Sequence, residues 1–144
     1  MSSLNISKEI MIHASPAAVF DALTQSDQIL RYFPLNEVIS EWRQDTEILY
    51  KGEVNGVPFT DYGVIELLDR PNCYRYRYWS DNHGTERQPE NHLTISYSLS
   101  TNANGTFLKL EQRNIPSETL FKFMDDVVWD YLLNELKNYL EMSN

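Results

Sequence analysis

The apolar positions change their period several times along the chain, and each change marks an element. Between Asn5 and His13 they alternate, with Ile6, Lys8, Ile10 and Ile12 on one side and Ser7, Glu9, Met11 and His13 on the other, the period of a strand. Ser15-Pro16 then reads as a helix start, Ser at the cap and Pro at the first helical position. Val19, Phe20 and Leu23 face inward before an end near Thr24. Ser26 or Asp27 caps a second short helix through Ile29, Leu30, Tyr32 and Phe33, which Pro34 stops. From Asn36 the period falls to two. Val38, Ser40 and Trp42, and then Ile48, Tyr50 and Val54, take one face. Asn55-Gly56 is a two-residue hairpin signal, since both tolerate positive φ. The return strand spans Val57 to Leu68, with a bulge expected at Gly63. After the turn Asp69-Arg70-Pro71-Asn72, the strand Cys73 to Trp79 puts Tyr74, Tyr76 and Tyr78 on one face and Arg75 and Arg77 on the other. A polar loop covers Ser80 to Asn91. Leu93, Ile95, Tyr97 and Leu99 then point inward, Asn104-Gly105 turns, and Leu108, Leu110 and Gln112 point inward on the way back.

Ser117 to Met142 has neither Gly nor Pro and is rich in good helix formers. Ser117 is placed to cap it, and Glu118 puts negative charge at the positive end of the helix dipole. Its apolar residues form two stripes. The first half shows Leu120, Phe123, Met124, Val127, Val128 and Tyr131; the second shows Trp129, Leu132, Leu133, Leu136, Tyr139 and Leu140. On an ideal helix the stripes are rotated by roughly 140°. The helix therefore changes partners, kinks or breaks near Trp129. Either it is buried on different sides at its two ends, or its first half is a separate, mobile element at the mouth of a cavity.

A strand, two short helices, about six further strands joined mainly by hairpins and a long helix make an α+β fold. Hairpins pair strands antiparallel, and one-sided alternation means one face is covered. The expectation is a curved antiparallel sheet of six to seven strands gripping the C-terminal helix, in one domain spanning residues 1–144.

Composition narrows the partners. The net charge of −9 argues against nucleic acid and anionic membrane, which both reward clustered Lys and Arg. The single cysteine, Cys73, excludes an internal disulfide and a Cys-based zinc site. The first residues lack a signal-peptide pattern, and no apolar run reaches membrane-spanning length. The expected location is cytoplasmic.

Little in the chain carries recognisable chemistry. His13, His83 and His92 are far apart and lack metal-ligand spacing. No Gly-rich loop joins a strand to a helix and no nucleophile elbow is present, so neither a cofactor nor a metal is expected. The paired Asp125-Asp126 reads as a solvated helix side. The constellation above background is aromatic: Trp42, Tyr50, Tyr62, Tyr76, Tyr78 and Tyr97 fall on the expected inner face, with Gln112 beside them and Phe123, Met124 and Val127 on the first half of the helix. Tyrosine offers apolar bulk and a hydroxyl that needs a partner when buried. These residues would hold a small, largely apolar ligand, with Gln112 and the phenols fixing its polar end. The alternative is a packed core with its tyrosines reaching the rim.

The order and its motifs resemble the helix-grip, START/polyketide-cyclase superfamily, and within it the family similar to the C-terminal domain of the activator of heat-shock protein 90 ATPase. The resemblance rests on Ser15-Pro16-Ala17-Ala18-Val19-Phe20-Asp21-Ala22-Leu23-Thr24, on Asp61-Tyr62-Gly63-Val64-Ile65, and on Pro89-Glu90-Asn91-His92 through Tyr97. Gly105-Thr106, Leu108, Leu110, Gln112 and Asn114 add to it, as do Trp129, Leu133, Leu136-Lys137 and Leu140-Glu141. Tyr32, Asp45-Thr46 and His92 depart from the family pattern at cavity-mouth or turn positions. The family has no shared catalytic residues. The resemblance implies a non-catalytic binding module with a small hydrophobic ligand or, alternatively, a stress-response module that docks on a chaperone. A cyclase- or hydratase-type enzyme using Tyr and Gln as acid or oxyanion donors ranks last, because no matched base is visible. Monomer and homodimer both stay open.

Overall fold

The computed structural model describes residues 4–142. Its elements are β1 (Leu4–Ile12), α1 (Pro16–Leu23), α2 (Ser26–Tyr32), β2 (Leu35–Ser40), β3 (Glu47–Val54), β4 (Val57–Asp69), β5 (Cys73–Ser80), β6 (Leu93–Asn102), β7 (Gly105–Ile115), α3 (Glu118–Phe123) and α4 (Trp129–Met142). The strands form one antiparallel sheet in the order β1-β7-β6-β5-β4-β3-β2. The α1–α2 pair links its two edge strands. α4 packs against β1, α1 and α2 and buries Trp129, Leu132, Leu133, Leu136 and Leu140. The inward rows of β5, β6 and β7 supply the facing side of this core. No helix among the described residues is long and apolar enough to cross a membrane.

Local chemistry accounts for most boundaries. Ser15 Oγ accepts the Ala18 N–H and Pro16 opens α1. Ser117 Oγ accepts the Leu120 N–H at the start of α3. Asn55 and Gly56, at φ 53° and 82°, close the β3–β4 hairpin over the Val54–Val57 pair, the conformation that Asn-Gly favours. Tyr74, Tyr76 and Tyr78 are buried, whereas Arg75 and Arg77 lie on the outer face against Glu66.

Four local expectations are corrected. α2 begins after Gln25 without a side-chain cap, so neither Ser26 nor Asp27 caps it; the Ser26 hydroxyl instead takes the Trp42 indole N–H at 3.0 Å. The irregularity in β4 lies between Ile65 and Leu67, while Gly63 stays in register opposite Tyr78. Gly63 is there for close approach: a Cβ would sit 2.8 Å from the Arg77 carbonyl oxygen. The β6–β7 turn is Ala103-Asn104, because Gly105 already pairs with Asn102; at φ 143° it packs where a Cβ would collide with the Ile12 carbonyl oxygen. Val54, expected inward, is exposed.

The C-terminal helix does change character just before Trp129. Met124–Val128 forms a π-helical turn in which the Trp129 N–H donates to the Met124 carbonyl, five residues back. Such a turn holds one residue more than an α turn, about 100° of azimuth, and this carries most of the offset between the two stripes. The Lys8 ammonium secures the turn from β1. It donates to the Asp125 main-chain carbonyl at 2.7 Å and pairs with the Asp125 and Asp130 carboxylates at 3.4 and 2.8 Å.

Candidate functional site

The π turn leaves the two halves of the helix facing different surroundings. The second half seals the core. The first half turns Leu120, Phe123, Met124 and Val127 toward the end of α2 and the β3–β4 hairpin, without filling the space between. The result is an open cleft of about 550 Å³, walled also by Phe33, Pro34, Val54, Val57, Phe59, Val128 and Tyr131. Its polar groups are Glu53, Asp61, Tyr78, Asn82 and His83. The cleft is thus a mostly apolar concavity with a few polar groups, the general form of a small-molecule site. Phe123, Val127 and Tyr131 are about half exposed because nothing among the described residues covers them.

The polar groups of the cleft are held by the sheet and the loop after β5. Asp61 and Ser80 are paired across β4 and β5, as are Gly63 and Tyr78, so Asp61, Tyr78 and Ser80 share the inner face. Burial pushes the Asp61 carboxyl up to about 7; the Ser80 hydroxyl opposes this and the nearby Asp81 charge adds to it. Asp61 keeps part of its surface open while protein surrounds the rest. The Ser80 hydroxyl donates to Asn82 Oδ1 at 2.7 Å. The His83 ring stands edge-on to Tyr78, centroids 5.3 Å apart. Burial lowers its pKa to about 4, against the pull of Asp81, so the ring is neutral at physiological pH. His83 Nδ1 is buried and has no hydrogen-bond partner among the described residues. Burial, with the Asp61 charge adding to it and the Gln112 hydrogen bond opposing, holds the Tyr78 phenol well above its ordinary value. The phenol therefore acts as a neutral hydroxyl, whereas a carboxyl titrating near neutrality can accept a hydrogen bond, hold a charge or exchange a proton.

Of the residues singled out from the sequence, Tyr78, Phe123, Met124 and Val127 line this cleft. Tyr50, Tyr76 and Tyr97 do not. Their rings close into a ladder with Tyr74, at centroid distances of 5.5 Å for Tyr50–Tyr76, 5.1 Å for Tyr74–Tyr76 and 6.0 Å for Tyr74–Tyr97. The Tyr50 and Tyr74 hydroxyls bond each other at 2.8 Å. The ladder fills the space under α4. Gln112 stands behind Tyr78, donating to its hydroxyl at 2.9 Å and accepting from Trp129 Nε1 at 2.7 Å, so it supports the wall without lining it. Tyr62 faces outward, paired with Trp79 in register and covered by the Arg87 guanidinium 4.1 Å from its ring centre. Trp42 lies beyond the end of β2, at φ 53°, edge-on to Tyr74. Asp61 and His83 were missed. Asp61 had a signal, since it stands four residues before the inward Ile65 at strand spacing. His83 had none, because the loop that carries it in has no period.

Seven antiparallel strands wrapped around a C-terminal helix, with an open cleft at one end of the grip, define a helix-grip, START-like protein. The chain belongs to the family described as activator of Hsp90 ATPase homolog 1-like protein, whose model matches residues 13–141. It is similar to a solution structure from Cytophaga hutchinsonii, at 28% identity over 99% of this chain and 98% of that one, with a TM-score of 0.83. It is likewise similar to the Aha1 dimer from Colwellia psychrerythraea, at 25% identity, 98% of each chain and a TM-score of 0.76. A Staphylococcus aureus protein of unknown function shares the fold at 14% identity, 99% and 96% coverage and a TM-score of 0.79. No curated protein sequence matches the chain.

Proposed function

We propose that this protein is a non-catalytic binding module that holds a small, largely apolar ligand between the β3–β4 hairpin and the first half of the C-terminal helix. The observation that carries this reading is where the exposed apolar residues lie. Val54, Val57, Phe123, Val127 and Tyr131 are exposed, and all five border the cleft; Leu30, Ile39 and Met142 are exposed elsewhere. Apolar surface gathered around a concavity with a polar end fits a ligand better than a flat partner. Titration with Nile red, an uncharged apolar dye, tests it. Saturable one-to-one binding that is lost in Phe123→Asp, at an exposed position, is expected. Equal binding by wild type and variant overturns the reading. Native mass spectrometry of the purified protein would then identify any co-purifying ligand.

The family match supports a second reading, docking on a chaperone of the heat-shock protein 90 type. Stimulation of that chaperone's ATPase by this chain, undiminished in Phe123→Asp, would move it ahead. Homodimerisation, the state named for the Colwellia relative, is proposed alongside; sedimentation equilibrium across a concentration series decides it.

A further inference from the structure

Resting on the cleft reading above, we infer that the cleft selects an amphiphile whose polar end is an organic cation, an amine, over a carboxylate or an uncharged head on the same apolar chain. Among the described residues, the charged side chains that line the cleft are both acidic, Glu53 and Asp61, and no Lys or Arg lines it. Asp61 has Tyr50 opposite it on β3, Tyr76, Tyr78 and Ser80 of β5 around it, Asp81 and His83 on the following loop, and the apolar Met124, Val127 and Val128 across the cleft, with Glu53 at its hairpin end. None of these is a cation at neutral pH.

An ammonium group would supply the charge that Asp61 lacks. His83 Nδ1, buried and unpartnered, adds a neutral acceptor in the tautomer that leaves this nitrogen unprotonated. Phe33, Phe59, Tyr78, Phe123 and Tyr131 give aromatic walls, whose faces attract cations. A carboxylate head would meet Glu53 and Asp61, with Asp81 close by, and would find no donor of positive charge. The net charge of −9 steers cations toward the protein as a whole, so selectivity must be traced to one carboxyl. Binding of an ammonium favours the ionised form of Asp61. Affinity for an amine therefore rises from pH 5.5 to pH 8, while that for an uncharged head stays flat.

Calorimetric titration with decylammonium, decanol and decanoate, each below its aggregation concentration, tests the inference. A charge-assisted contact of this kind gives decylammonium a roughly ten- to hundredfold advantage over decanol at pH 8, with decanoate weakest. Asp61→Asn should bring decylammonium down to the level of decanol while decanol still binds. Glu47→Gln, which removes an exposed carboxylate from the outer face of the sheet, should keep the advantage. Decanol or decanoate binding wild type as well as decylammonium, or an advantage that survives in Asp61→Asn, overturns the inference and leaves the cleft reading standing. Failure of all three probes to bind overturns both.

Discussion

The Trp129 indole and the Gln112 side-chain amide are joined by a buried hydrogen bond of 2.7 Å, in which Nε1–H donates to Oε1. The same amide donates through Nε2 to the Tyr78 hydroxyl at 2.9 Å. One glutamine thus ties the first residue of α4 to the wall of the cleft. Gln112 is fully buried, and a buried polar group is costly unless its partners are present. Gln112→Leu strands the indole N–H and should lower stability by roughly 1–3 kcal/mol. Trp129→Phe in that background should cost less than in the wild type, because the orphaned donor goes with it. Additive costs in a urea double-mutant cycle would show that the bond contributes nothing.

Leu136 is 1% exposed at the centre of the α4–sheet contact. Leu136→Ala should cost roughly 2–5 kcal/mol, a transfer term plus a cavity term. An unchanged urea midpoint would contradict the packing of α4 on the sheet.

Gln112, Trp129 and Leu136 belong to the part of the molecule that the chain displays locally. Tyr74, Tyr76 and Tyr78 alternate with Arg75 and Arg77, and one period suffices to assign both faces of β5. Ser15-Pro16 and Asn55-Gly56 mark their boundaries with two residues each. The helix stripes even placed the disturbance near Trp129. The site is another matter. It is defined by what fails to fill a space, and no residue reports that alone. Tyr50, Tyr76 and Tyr97 have the right chemistry for a cavity wall, but their rings stack on Tyr74 and consume the volume. Tyr62 is expected on the inner face, but Gly63 stays in register opposite the inward Tyr78, which turns Tyr62 outward beside Trp79. His83 enters the cleft on an aperiodic loop.

The π turn should be the least stable part of the C-terminal helix. Phe123 beside it and Val127 within it are exposed, whereas Leu132, Leu133 and Leu136 are buried, and local opening concentrates where buried apolar contacts are few. Amides from Leu120 to Val127 should exchange faster than those from Leu132 to Leu140. Lys8→Met removes the ammonium that holds the Asp125 carbonyl, and should speed exchange at 124–128 at a cost of about 1 kcal/mol. Uniformly slow exchange along both halves would mark one rigid element and weaken the case for a mobile first half at the mouth of the cleft.

Asp61 and His83 should give the protein two opposed pH dependences that nearly cancel. Folded Asp61 holds its proton up to about pH 7, against an ordinary value of 3.8 for the unfolded chain. Between those values the folded state carries the extra proton, so stability from this group is full at low pH and falls as pH rises toward 7. Folded His83 takes a proton only near pH 4, against an ordinary value of 6.5 for the unfolded chain. Between those values the unfolded state carries the extra proton, so stability from this group is full above 6.5 and falls as pH drops toward 4. In the shared window, each slope is at most about 1.4 kcal/mol per pH unit, and the signs are opposite. Asp61→Asn leaves the histidine slope alone: the variant should gain on the order of 2 kcal/mol over wild type at pH 8, after discounting for the open side of the cleft, and lose that gain by pH 4. His83→Gln leaves the aspartate slope alone and should become more stable as pH is lowered from 7 to 4.5. Urea denaturation at pH 4.5, 6 and 8 reads both. If Asp61→Asn keeps the wild-type pH profile, Asp61 titrates as an ordinary surface carboxylate, and the cleft does not desolvate it.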